Sequence, residues 1–197
     1  MSRHNLHNLA ACIVGMLMLV SACSADQSPT PVDNAIMTSL NLSAAVGSEA
    51  PDLAFYTLEN EELQRLSDFR GRTVLLNLWA TWCAPCLEEI PALNQLQKQY
   101  DDQGLVVILL SDEKPEVLQT FFSNRERVGV IGFLDSKRLK NPFQTIIRPV
   151  TFIIDADGVI RSGIVGKGSY EAFENRIIMT INSDVNNIPC NFEGNCR

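Results

Sequence analysis

Three short apolar runs punctuate the chain: residues 73–79 (TVLLNLW), 105–110 (LVVILL) and 150–154 (VTFII). Each has the length of a strand, and unbroken apolar character predicts strands buried on both faces. Between the first two, Leu87, Ile90, Leu93 and Leu96 recur at helical spacing, predicting a helix over residues 84–100. Pro85 fits its first turn, whereas Pro91 is expected to kink it. Pro115 opens a second helix reaching about Asn124, and the pattern assigns no element from there to Val150. After the third run, Asp155-Ala156-Asp157-Gly158 reads as a hairpin turn, residues 159–163 as its return, and Ser169 as the cap of a last helix reaching about Ile181. Upstream, residues 52–58 read as a strand and Glu59-Asn60-Glu61-Glu62 as its turn. Leu63 and Leu66 return toward a short helical corner, LSDFRG. The alternation of strands and helices predicts an α/β sandwich built on a mixed sheet.

The first residues belong to a different pattern. Arg3 precedes a short apolar stretch, residues 9–20 (LAACIVGMLMLV), which is short for a comfortable membrane span. Val20-Ser21-Ala22-Cys23 follows, with a cysteine in the place just after a small-residue cleavage site. This resembles the bacterial lipobox and implies a signal peptide over residues 1–22, lipidation of Cys23 and a membrane-anchored, periplasm-facing lipoprotein of the cell envelope. Ser24 in place of an aspartate leans toward the outer membrane. An uncleaved anchor and a plain secreted protein are the alternatives. Residues 23–46, rich in Ser, Thr, Pro, Asn and Ala, read as a tether, with a helical turn expected near residues 36–42.

Charge and composition narrow the function. The net charge of −7 and the lack of a lysine- or arginine-rich run argue against a nucleic-acid partner. Both histidines, His4 and His7, lie in the expected signal peptide. Its removal leaves no histidine to serve as base, as partner to a cysteine or as metal ligand.

The remaining chemistry centres on Trp82-Cys83-Ala84-Pro85-Cys86. A cysteine at a helix N-terminus faces unpaired N–H groups and the positive end of the helix dipole, and both favour thiolate. Cys83 is placed there, so it is the candidate attacking group. Cys86, most of a turn further in, is the candidate resolving group. Two other readings compete. A zinc site would need two more ligands, and the only other cysteines of the expected mature domain are the distant Cys190 and Cys196. A permanently closed Cys-x-x-Cys ring would staple little. The redox reading calls for no metal and no cofactor.

The stretch NLWATWCAPCLEEIP, taken with GSEAPDL, LSDFRGRTVLLNLW and RPVTFIIDADGVI, resembles the TlpA/ResA-like thiol–disulfide oxidoreductases of the thioredoxin fold, from about Gly47 to Ile181. The resemblance implies a thioredoxin-like domain over residues 47–183, with a mixed central sheet flanked by helices and an N-terminal β-hairpin extension. It implies a reductase acting on disulfides or thiols of envelope proteins, apocytochrome c among the possibilities, and fed by an upstream membrane thiol donor. Pro149 matches the family's cis-proline opposite the cysteine pair, and Glu89 matches its active-site glutamate, with proton exchange with Cys86 as the implied role. Glu88 is expected to point into solvent. Asn77 stands where thioredoxin carries a buried acid, which throws the proton work onto Glu89. Arg148, where small or apolar residues are usual, is either a group that steadies the Cys83 thiolate or selects an acidic partner, or else a solvated arginine. Trp79 and Trp82 are expected beside the site, Trp82 either packed or contacting substrate.

The tail, residues 184–197, falls outside the resemblance. Its Cys190 and Cys196 read first as a structural disulfide and second as another redox pair. A peroxiredoxin-like peroxidase, which would want a single peroxidatic cysteine, is the nearest enzymatic alternative. A thioredoxin-fold binding module with incidental thiols is the non-enzymatic one.

Overall fold

The computed structural model describes residues 45–186, and side chains through residue 183. The expected helical turn near residues 36–42, Cys23, Cys190 and Cys196 lie outside the described residues. In chain order the elements are β1 (Ala54–Thr57), β2 (Leu63–Arg65), β3 (Thr73–Leu78), α1 (Ala84–Tyr100), β4 (Leu105–Ser111), α2 (Pro115–Phe121), β5 (Val130–Phe133), β6 (Val150–Ile154), β7 (Ile160–Val165) and α3 (Tyr170–Asn186).

They form one mixed sheet in the order β2-β1-β5-β4-β3-β6-β7. β3, β4 and β5 run parallel, β6 and β7 antiparallel beside them, and β1 closes the far side against both β2 and β5. Every residue of β3, β4 and β6 is buried, as their unbroken apolar character demands. Side chains alternate between two cores across the sheet. Leu76, Leu78, Ile108, Leu110 and Phe152 point to one. Leu75, Trp79, Val107, Leu109 and Ile153 point to the other. The core side chains of all three helices belong to the second cluster, together with both cysteines of the pair. The first face is closed by Phe55, Leu66 and the connection after β5, where Leu139 and Phe143 are buried. Phe143 stands edge-on to Phe152 at a centroid distance of 4.9 Å, which anchors that connection to β6.

One departure from the sequence pattern matters. β5 has no counterpart among the expected elements. Its stretch Val130-Ile131-Gly132-Phe133 carries a glycine that weakens the strand signal, and the structure shows why glycine sits there. A Cβ on Gly132 would fall 2.6 Å from a ring carbon of Phe55, so the Phe55 ring of the neighbouring strand β1 could not lie over that position. Pro91 lies inside α1, which runs on to Tyr100 as expected.

Candidate active site

β3 delivers the chain to the site. Trp79 leaves its end with its N–H donated to the carbonyl of Leu110, and its buried ring lies against Phe121 and Phe122. The chain then turns, the N–H of Cys83 donating to the carbonyl of Ala80 at 3.2 Å. Cys83 is the N-cap residue of α1, in extended backbone conformation, and Pro85 lies in the first turn, where its missing N–H costs nothing. The Cys86 N–H donates to Cys83 Sγ at 3.3 Å, and the two cysteines are joined in a disulfide. Cys86 is fully buried and Cys83 only 5% exposed. Once the bond is reduced, the helix dipole and the Cys86 N–H favour a thiolate at Cys83 over one at Cys86.

Glu89, one turn deeper on α1, is 1% exposed. Its carboxylate accepts from Asn77 Nδ2 at 2.7 Å and from the Gly168 N–H at 3.1 Å. Burial penalises its charged form and pushes its pKa from 4.5 up to about 7, against the opposing pull of the Gly168 and Asn77 hydrogen bonds and of the nearby Lys167. The group can therefore hold or release a proton near neutrality. Asn77 also donates to Thr151 Oγ1 at 2.9 Å, while its own Oδ1 is buried without a partner among the described residues. Turned over, the amide would offer that oxygen to a protonated Glu89. Asn77 suits either state of the carboxyl although it moves no proton itself. Gly168 permits this arrangement because a Cβ there would lie 2.3 Å from Phe173 Cζ.

The Arg148–Pro149 peptide is cis. The antiparallel register pairs Leu78 with Val150, which brings Pro149 to the sheet end where β3 hands over to the cysteine turn. Thus Cys83, Cys86, Glu89 and Pro149 share one end of the sheet. Trp82 is 72% exposed, so it presents its ring to solvent and does not pack. Arg148 is not solvated: its side chain is 6% exposed, its Nη1 donates to the carbonyls of Thr145 and Ile147, and its Nη2 lies 3.6 Å from Asp112. Burial lowers its pKa from the ordinary value, while Asp112 pulls it back up. With its guanidinium committed inward, it has little to offer an acidic partner. Glu88 lies at the surface, where Lys167 donates to it at 2.6 Å.

Gly168 and Thr151 escaped the sequence reading, and so did a third residue, Glu113. Glu113 accepts from both the N–H and the hydroxyl of Thr81, each at 2.7 Å, and from Ser111 Oγ at 3.2 Å. It clamps the turn that carries Trp82 and Cys83. The available signal was topological: β3 and β4 are parallel, so the residues just after each must emerge at the same end of the sheet.

The AhpC/TSA family profile matches residues 46–162. The thioredoxin-like protein YneN of Bacillus subtilis is 36% identical over 133 residues, which cover 66% of this chain and 78% of that protein. The thiol–disulfide oxidoreductase ResA of Geobacillus kaustophilus is 34% identical over 134 residues, covering 68% and 76%. Among solved structures, a thiol:disulfide interchange protein DsbE from Chlorobium tepidum superposes with a TM-score of 0.64 at 27% identity, covering 69% of this chain and 97% of that one. A cysteine pair at a helix cap, a cis-proline on the neighbouring strand, a buried glutamate and these relatives converge: the chain belongs to the AhpC/TSA family, among its ResA-like members, and is a thiol–disulfide oxidoreductase of the thioredoxin fold.

Proposed function

We propose that the protein is a membrane-tethered, extracytoplasmic reductase of envelope protein disulfides. The observation that carries this reading is the placement of Cys83 at the cap of α1, with Cys86 and the buried Glu89 behind it on the same helix. In the reduced enzyme the Cys83 thiolate attacks a sulfur of the partner's disulfide. That S–S bond breaks, a Cys83–partner bond forms, and one partner sulfur leaves as thiolate. Cys86 gives its proton to Glu89 and attacks Cys83 Sγ, releasing the second partner thiolate. Two electrons have passed to the substrate, and the Cys83–Cys86 disulfide remains. A membrane thiol donor reduces it again. Pro149 shapes the partner's approach to the pair, and Trp82 contacts the partner.

Arg3, the apolar stretch of residues 9–20 and Cys23 support a lipid anchor at Cys23. The relatives give no support to an outer-membrane address. Cys190 and Cys196 fit a structural disulfide in the tail. A reducing role predicts a potential nearer about −270 mV than about −120 mV on equilibration with glutathione.

The deciding experiment traps the partner. A Cys86→Ala protein cannot release the mixed disulfide internally and should accumulate covalent complexes in its native envelope, visible on a non-reducing gel. Cys83→Ala should trap far fewer. Haem-attachment proteins among the trapped partners would assign a role in cytochrome c maturation, and a broad set of secreted proteins would assign general disulfide reduction. If Cys86→Ala traps nothing that Cys83→Ala does not, the reading fails.

A further inference from the structure

Beside the cysteine turn lies a cleft of about 560 Å³. Its lining joins Trp82, the neighbour of Cys83, and Arg148, the neighbour of Pro149, to Lys137, Leu139, Ile146 and Asp112. Trp82 and Ile146, at 72% and 96% exposed, are the two most exposed large apolar side chains among the described residues. A cleft bounded by such groups offers an apolar side chain a place to seat.

The charges around it are distributed in an informative way. In a chain of net charge −7, most basic side chains are already committed. Arg65, Arg70, Arg72, Lys98, Arg161 and Lys167 are each in an ion pair. Arg125 and Arg127 lie over phenylalanine rings, and Arg176 is hydrogen-bonded to Ser162 and a carbonyl. Among the described residues four cations have no ion pair, side-chain hydrogen bond or ring contact: Lys114, Lys137, Arg138 and Lys140. Three of these sit within one four-residue stretch that includes the cleft's wall, and all three are exposed. The fourth lies two residues beyond Asp112. Of the acids nearby, Asp112 faces Arg148 and Glu113 is bound to Thr81, while Asp135 accepts the N–H of Lys137 at 3.0 Å and keeps its charge, so residues 135–140 carry three cations against one anion. Ring contacts and neutral hydrogen bonds leave Arg125, Arg127 and Arg176 charged, but those three have their side chains held elsewhere, whereas the cations free to meet a ligand gather at the edge of the active site.

We propose that this cleft docks an acidic, extended segment of the partner protein, its carboxylates met by Lys137, Arg138 and Lys140 and an apolar side chain next to its cysteine seated against Trp82 and Ile146. The inference rests on the disulfide-reductase reading and names the substrate class of that same site. An anionic membrane surface is the competing occupant. The cleft opens beside Cys83, so a membrane covering it would bar the thiol's own substrates. For that reason the peptide segment is favoured. Recognition of this kind acts mainly on encounter rate and is screened by salt.

The test uses the full-length chain in detergent, reduced with dithiothreitol and then freed of it. The substrates are short peptides, each carrying one cysteine as a mixed disulfide with thionitrobenzoate and a leucine beside it. They differ only in flanks of Asp/Glu, Gln or Lys. Cys83 attacks the peptide sulfur, the S–S bond breaks and thionitrobenzoate leaves as the coloured thiolate. Cys86 then displaces the peptide thiol, so each turnover consumes one reduced pair. The acidic peptide should react about tenfold faster than the basic one at about 20 mM salt, and the ratio should fall toward one at about 0.5 M. The K137E/R138E/K140E variant should invert the ratio, and K137Q/R138Q/K140Q should flatten it. Because the readout is a ratio within one protein, partial loss of folded variant does not blur it, and the salt series on the natural chain decides alone if both variants fail to fold. Rates within about twofold for all flanks at low salt would overturn the docking proposal while leaving the reductase reading intact. Failure to reduce even the uncharged bis(2-hydroxyethyl) disulfide would instead overturn the reductase reading, and this proposal with it. Binding to phosphatidylglycerol vesicles that needs these three cations, with no discrimination among peptides, would reassign the patch to the membrane.

Discussion

The two sides of the cysteine turn are built on opposite principles. Behind it, Cys86, Glu89, Asn77 and Thr151 are fully buried, and nearly every polar atom has a fixed partner. In front of it, Trp82, Ile146 and Lys137 stand in solvent with almost nothing holding their side chains. The inner side can tune a proton because low polarity makes a charge costly there. The outer side can meet partners because little has to be displaced to reach it. On the proposed function, chemistry and recognition are divided across a few residues of chain, and substitutions on the two sides should fail differently.

The largest effect should come from the shared hinge. Cys83→Ser should cut reduction of a small disulfide by about three orders of magnitude or more, since the other residues act only through that sulfur. A residual rate within about tenfold of the natural chain would place the chemistry elsewhere. Next is Glu89. Its folded pKa of about 7 lies above its ordinary 4.5, so the folded state binds more protons than the unfolded one between those values. Stability from this group is full below pH 4.5 and is lost as pH rises through 7, by about 3 kcal/mol in all. Glu89→Gln should remove that slope in denaturant titrations run across the range, and should also shift the pH profile of thiol reactivity. Glu88→Gln, at the surface, should do neither, and equal effects from the two would reduce Glu89 to a general charge effect.

Gly168→Ala should follow. The added methyl meets the Phe173 ring and displaces the N–H that Glu89 accepts, costing about 2 kcal/mol in urea unfolding. A loss below about 0.5 kcal/mol would show that the loop adapts freely. Glu113→Ala should cost about 1 kcal/mol and slow Cys83, whereas Glu113→Gln, which can still bond both groups of Thr81, should recover most of the rate. If Gln is as slow as Ala, it is the carboxylate's charge and not the clamp that matters. Smallest in stability is Trp82→Ala, within about 0.5 kcal/mol, because its ring covers little core. Its effect should appear in KM for protein substrates.

The same division explains what could be read from the chain alone. Residues 73–79, 84–100 and 150–154 announced their elements because burial on both faces, or on one helical face, forces a pattern of side chains. Cys83 and Cys86 were legible for a related reason: a cap and the turn behind it are local. Glu113 and Gly168 were not, since each reaches the site across a sheet pairing or a loop return, and neither belongs to a local motif. β5 was hidden by a glycine whose purpose lies in β1, about 80 residues earlier. Arg148 stayed undecided between a site role and solvent because its partners, Asp112 and two carbonyls, become visible only after folding.

The sheet's outer limits carry a last consequence. Of its two outermost strands among the described residues, β2 is three residues long, and its Arg65 reaches back to Asp52. The other, β7, pairs with a register shift near Ile154 and bears a charged Arg161. Neither offers a long, flat row of free backbone groups. An enzyme that exchanges disulfides with other molecules must let them come close, and a long free sheet edge would invite strand addition instead. Blunted margins disfavour that pairing along the sheet's sides and leave the end that carries the cysteine pair as the open approach.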